Sequence, residues 1–187
     1  GITLLDELGE RRSLSYALLR LANVRNARGE YREALETASR ATEACLATGQ
    51  AARIWATELA AGRAWRGLGN RDQARAAFEQ VAKQYPRSDA APGAYHSLGL
   101  LALQSATTTA EIDDALAQFA RVETLYPTSP WVPRSLQASA LAHRRAGRYA
   151  EAADLNRRVS LEYPASDAAA AAQFEIGQAL ALQGQPR

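Results

Sequence analysis

One sentence is written three times in this chain. "QYPRSDAAPGAYHSLG" begins at Gln84, "LYPTSPWVPRSLQASA" at Leu125 and "EYPASDAAAAAQFEIG" at Glu162. Each copy has Tyr-Pro, a Ser two residues after the Pro, and a small residue thirteen after it: Gly99, Ala140 and Gly177. A motif recurring at a near-fixed period marks stacked supersecondary units, none of which buries its apolar surface alone.

The unit can be read from its parts. After each Tyr-Pro, Ser88, Ser129 and Ser166 are expected to cap helix N-termini by accepting a backbone N–H bond. Asp89 and Asp167 follow, where a carboxylate suits the positive end of the helix dipole. Pro130 takes the same slot, and a first turn tolerates Pro. Before each Tyr-Pro the apolar residues are Ala74, Ala77, Phe78, Val81, Ala82 and Tyr85; then Ala115, Phe119, Val122 and Tyr126; then Ala152, Val159 and Tyr163, with Leu155 beside the expected slot. Spacings of three, four, seven and eleven predict one helical stripe, not a strand. Short polar turns precede these helices ("GLGNRDQA", "SATTTAEIDDA", "AGRYAEAA"), two of them with a Gly suited to helix termination. The unit is therefore helix A, turn, helix B, Pro.

The first half carries the same unit with a different joint. Gly29 and Gly69 fall in turns between helices, and Gly9 and Gly49 are expected to end second helices. Gly29 to Gly69 spans 40 residues, Pro86 to Pro127 spans 41, and Pro127 to Pro164 spans 37. This register predicts repeats at 14–48, 51–86, 89–127 and 130–164. Residues 1–10 become the end of a preceding helix B, and 167–184 a final helix A. A chain without Met that begins and ends on half-repeats is expected to be part of a longer array.

The sequence resembles tetratricopeptide repeats. Leu18, Leu21, Ala22, Gly29, Tyr31, Ala34, Ala38 and Ala41 carry the likeness in the first copy. Gly62, Gly69, Ala74, Phe78 and Pro86 carry it in the second. Tyr95, Leu98, Gly99, Ala115, Phe119 and Pro127 carry it in the third, whose turn is longer by about four residues. Leu136, Ala140, Gly147, Tyr149, Ala152 and Pro164 carry it in the fourth, and Ile176, Gly177 and Gly184 open a fifth. The resemblance implies an all-α fold: a right-handed α-α superhelix of about four helix-turn-helix repeats plus terminal half-repeats, with the A helices lining a concave wall. The Tyr-Pro joints look like those of bacterial envelope-assembly and cell-division accessory proteins. The first half looks more like arrays of bacterial signalling proteins. A cytoplasmic location is expected ahead of a periplasmic one.

Composition excludes several classes. A formal net charge of +2 lacks the basic excess of a dedicated nucleic-acid binder. An RNA-binding helical repeat would keep a strict period near 35 and repeat its base-reading residues. No stretch reaches the ~18 apolar residues of a membrane span. Cys45 stands alone, so no intrachain disulfide and no Cys-based metal cluster can form. Two histidines, His96 and His143, on different repeats do not converge into a zinc site. No phosphate loop, nucleophile elbow or paired-carboxylate motif is present. The expectation is a non-enzymatic protein with no cofactor and no metal. His143 and Cys45 take packing slots, Trp55, Trp65 and Trp131 core or joint positions, and the acids of "EIDDA" a helix N-terminus.

In the related fold, certain helix A positions tend to line the groove. Transferring that register gives Asn23, Asn26, Arg63, Arg66, His96, Gln104, Arg134, Gln137, Arg144 and Arg145. No acid falls among them. Guanidinium groups bind carboxylates bidentately, so an acidic peptide or partner protein is the expected ligand. His96 falls on the same concave face, where it either touches a ligand or merely lines the wall. The family contains a carboxylate clamp of Asn, Lys and Arg; Asn23 and Arg63 stand where such groups act, and no Lys joins them. The module could serve alone or as the interaction segment of a larger signalling or envelope-assembly protein. Self-association through terminal helices is a further expectation.

Overall fold

A computed structural model describes residues 2–50 and 53–183. They form helices only, in antiparallel hairpins: α1 (Ile2–Arg28) with α2 (Tyr31–Ala47), α3 (Ile54–Gly67) with α4 (Arg71–Gln84), α5 (Ala91–Ser105) with α6 (Thr109–Leu125), and α7 (Val132–Arg145) with α8 (Tyr149–Glu162); α9 (Asp167–Gln183) follows. The chain divides into two compact units, Gly1–Ala94 and Tyr95–Arg187.

The hairpin turns obey backbone chemistry. Gly69 has φ +80° and Gly147 φ +75°, a conformation in which a side chain would clash. At each, two N–H groups fold back on the ending helix: Gly69 N–H to Arg66 and Asn70 N–H to Trp65, then Gly147 N–H to Arg144 and Arg148 N–H to His143. These bonds satisfy carbonyls a helix end otherwise leaves bare. The third hairpin has no such Gly. The Arg145 guanidinium on α7 instead donates to the carbonyls of Leu103 in the last turn of α5, at 2.5 Å, and of Ala106 just beyond it, at 2.9 Å. A capping box, Thr108 with Glu111, then opens α6.

Packing follows the predicted stripe. Ala74, Phe78 and Val81 are fully buried on α4, Ala115, Phe119 and Val122 on α6, and Ala152 and Val159 on α8. Phe78 lies on the bare backbone of Gly62: a Cβ there would sit 2.5 Å from its ring. Phe119 lies on Gly99 the same way. Burying one such ring contributes roughly 1.5–3 kcal/mol, and only a glycine lets it come so close. Cys45 is 2% exposed in the slot that Tyr85, Tyr126 and Tyr163 hold in other hairpins.

Two expectations are corrected. Gly9 does not end a helix, because α1 runs unbroken past it from Ile2 to Arg28. A lone interior Gly costs only about 1 kcal/mol, and no Pro follows to enforce a stop. The joint serines do not cap as expected either. Ser88 and Ser166 donate their hydroxyls back to the carbonyls of Tyr85 and Tyr163, at 2.7 and 2.8 Å. They close the Tyr-Pro turn itself. Only Ser129 accepts, from Trp131 N–H at 3.2 Å. Gly184, expected in a fifth turn, lies outside the described residues.

Candidate functional site

In the first unit, Asn23 and Asn26 are one helical step apart on α1, and Arg63 and Arg66 are likewise spaced on α3. With Ala27, Tyr31 and Gly67 they line one cleft of about 280 Å³. Asn26 anchors the pair of helices, its amide donating to the Ala60 carbonyl at 2.9 Å. Arg63 donates to Asn23 Oδ1 at 3.4 Å. The Tyr31 ring lies against Gly67, where a Cβ would have no room. Burial pushes the Arg66 guanidinium pKa down, with Tyr31 acting in the other direction. Among the described residues lining this cleft there are two guanidinium groups, two amides and no carboxylate.

The second unit is chemically different. α5, α7 and α9 contribute His96, Leu100, Arg134, Gln137, Ala138, Leu141, Asp167, Ala168 and Glu175 to a cleft of about 390 Å³, with Asn156 from α8. The candidate list holds no acid, yet two acids of α9 meet its arginines here. Arg134 pairs with Asp167 at 2.7 Å and Arg144 with Glu175 at 2.8 Å. Arg144 also donates to Gln178 at 2.7 Å. Asp167 and Glu175 belong to the next A helix, and a helix-by-helix register does not show which neighbour reaches across. Arg145, counted as a groove residue, is spent on the carbonyls of Leu103 and Ala106. Gln104 is exposed outside the residues lining this cleft.

His96 resolves as a packed residue at the cleft wall. It is 9% exposed, its Nδ1 lies 3.1 Å from Ser135 Oγ, and its ring lies 5.2 Å from that of Trp131 and 5.7 Å from that of Phe119. Trp131 in turn carries the Arg134 guanidinium over its face at 5.3 Å. His143 is half-buried, and burial foremost, with Arg148 adding to it, pushes its pKa down. Asn156 was not singled out from the sequence. Its signal is the step of four from Ala152, which lands on Asn where the same step from Ala74 and Ala115 lands on Phe78 and Phe119. Among the described residues, no three His, Cys, Asp or Glu side chains converge on a point that could hold a metal, and no helix is long and apolar enough to cross a membrane.

Helix hairpins in sequential pairs, each unit with a cleft lined mainly by its A helices, define a helical-repeat protein. Residues 57–88 match the tetratricopeptide repeat family model, and the fold is that of tetratricopeptide-repeat structures. One is the crystal structure of nearly identical TPR-like repeats from a candidate kinesin light chain of Podosopora anserina. It is 18% identical, with a TM-score of 0.67, over 91% of this chain and 87% of that one. A second is a thermophilic TPR protein of Thermus thermophilus, 19% identical with a TM-score of 0.55, over 89% of this chain and 99% of that one. Comparison with the curated proteins gives no match.

Proposed function

We propose that this protein is a non-enzymatic interaction module that binds a partner protein or peptide, with an acidic group of the partner seated in the first-unit cleft. The observation that carries this reading is the lining: Arg63, Arg66, Asn23 and Asn26 converge with no carboxylate among them. A partly desolvated guanidinium such as Arg66 gains when an anion replaces lost water, and a guanidinium fork donates to both carboxylate oxygens. Asn23 and Asn26 add amide dipoles that can orient the bound group. In the second unit Arg134 and Arg144 are already paired with Asp167 and Glu175, so that cleft is not the seat we assign to the acidic group.

The test is selection from a displayed peptide library on the purified chain, followed by fluorescence anisotropy at low and raised salt. Asp- and Glu-bearing sequences should enrich, and their affinity should fall with salt. Arg63→Glu with Arg66→Glu should abolish binding while the helical circular dichroism stays unchanged. Enrichment without acidic residues, or equal affinity in the double variant, would sink the reading.

A further inference from the structure

The fourth hairpin breaks the packing rule of the second and third. In those, a glycine on helix A accepts a phenylalanine ring from helix B: Gly62 with Phe78, Gly99 with Phe119. The same slots in the fourth hold Ala140 and Asn156. Asn156 is only 3% exposed, its Oδ1 has no hydrogen-bond partner, and it lines the cleft of about 390 Å³. A buried acceptor without a donor weakens the fold. A residue that breaks a local rule at such a cost, beside an open cleft, points to a ligand.

The walls say which ligand. Leu100, Ala138, Leu141 and Ala168 are apolar. The charges cancel in the pairs Arg134–Asp167 and Arg144–Glu175. A charged guest would find no free counter-charge and would be costly to bury. A flat, uncharged guest with one donor at its edge fits both the apolar walls and the unmet acceptor. The cleft falls within the ~300–1,000 Å³ range of sites that take small organic groups.

We propose that this cleft receives an aromatic side chain bearing an edge donor, a Tyr or Trp of a bound peptide. That side chain supplies the ring that α8 lacks and the donor that Asn156 Oδ1 lacks. The proposal rests on the interaction reading only for the source of the ring, and not on the arginine cleft of the first unit.

The test uses the whole chain and probes without a carboxylate, so its failure is separate from failure of the acidic-ligand reading. p-Cresol, 3-methylindole and N-acetyltyrosine amide are titrated against toluene, following the methyl resonances of Leu100 and Leu141 by NMR. The three donor-bearing probes should bind about fivefold more tightly than toluene, the worth of one neutral hydrogen bond. Ala140→Gly with Asn156→Phe restores the glycine–ring pair and should abolish binding. Asn156→Leu, which keeps the hairpin folded without a ring to accommodate, should erase the preference for p-cresol over toluene. Equal affinity of p-cresol and toluene in the native chain would overturn the proposal. So would undiminished binding by the refilled double variant, or a preference that survives Asn156→Leu. Binding of p-cresol with exclusion of N-acetyltyrosine amide would overturn a peptide side chain as the source.

Discussion

Gly99→Ala adds one methyl group and should destabilise the protein. A Cβ at position 99 would lie inside 3 Å of three ring carbons of Phe119. The ring cannot simply swing away. Phe119 is 1% exposed, and its neighbour His96 is itself packed against Trp131. Overpacking of this kind costs about 1–3 kcal/mol. Replacing Gly by Ala inside a helix returns about 1 kcal/mol. The net loss is up to about 2 kcal/mol, and each kcal/mol moves the Tm of a chain this size by about 2–4 °C. Urea and thermal unfolding followed by circular dichroism read it out. Phe119→Leu combined with Gly99→Ala should be more stable than the two single effects added, by at least ~0.5 kcal/mol. Gly67→Ala is the comparison: its clash is with Tyr31, a ring only half-buried where Phe119 is enclosed, so it should lose less stability than Gly99→Ala. A Gly99→Ala variant more stable than the native chain, or strict additivity with Phe119→Leu, would refute the slot-packing argument.

Three further outcomes follow from the same contacts. Arg145→Ala should cost about 1 kcal/mol by freeing the Leu103 and Ala106 carbonyls, a modest figure because the side chain is exposed, and amide exchange should quicken in the last turn of α5. Glu111 accepts from the N–H groups of Thr107 and Thr108 and from the Thr107 hydroxyl, which hold its pKa down to about 2 from 4.5. Its folded pKa is depressed, so its contribution is complete above pH 4.5 and is lost as pH falls toward 2; the stability difference between native and Glu111→Gln, read by urea midpoint, should close across that window. Asn156→Leu removes a buried acceptor without a partner and should raise stability by about 1 kcal/mol in the same assay.

Much of the fold was legible because its causes are local. The stripe Ala74, Phe78, Val81, Tyr85 specifies a helix and its buried face without reference to anything distant. Gly69 and Gly147 specify turns through their own φ angles. The errors have local causes too: nothing around Gly9 makes a break in α1 cheaper than continuing, and a serine hydroxyl beside a Tyr-Pro turn has a carbonyl closer than the next helix. The candidate site was legible only as a face. A register names Arg134 and Arg144 as groove residues, but Asp167 and Glu175 come from a helix about 30 residues onward and meet them only in the folded unit. The same limit hid the role of Arg145, whose target carbonyls lie 42 and 39 residues upstream.

The two clefts show how one repeat yields differently lined surfaces. The backbone of each hairpin is fixed by a few slots: a small residue on helix A, a ring on helix B, a glycine in the turn. Residues outside those slots vary freely, so α1 and α3 can present Arg63, Arg66 and two asparagines while α7 and α9 present closed ion pairs. A variation at a surface position changes the charge that the cleft presents. A variation inside a slot does more, because it alters the volume between helices as well as the lining. Ala140 and Asn156 are such a change. They exchange an internal ring for an open cleft with an amide among its lining residues, and the fold tolerates the exchange because Ala152 and Val159 on either side keep the α8 stripe buried. If both proposals hold, specificity in this protein is set at two depths: charge on the A helices, and shape where a helix B slot holds no ring.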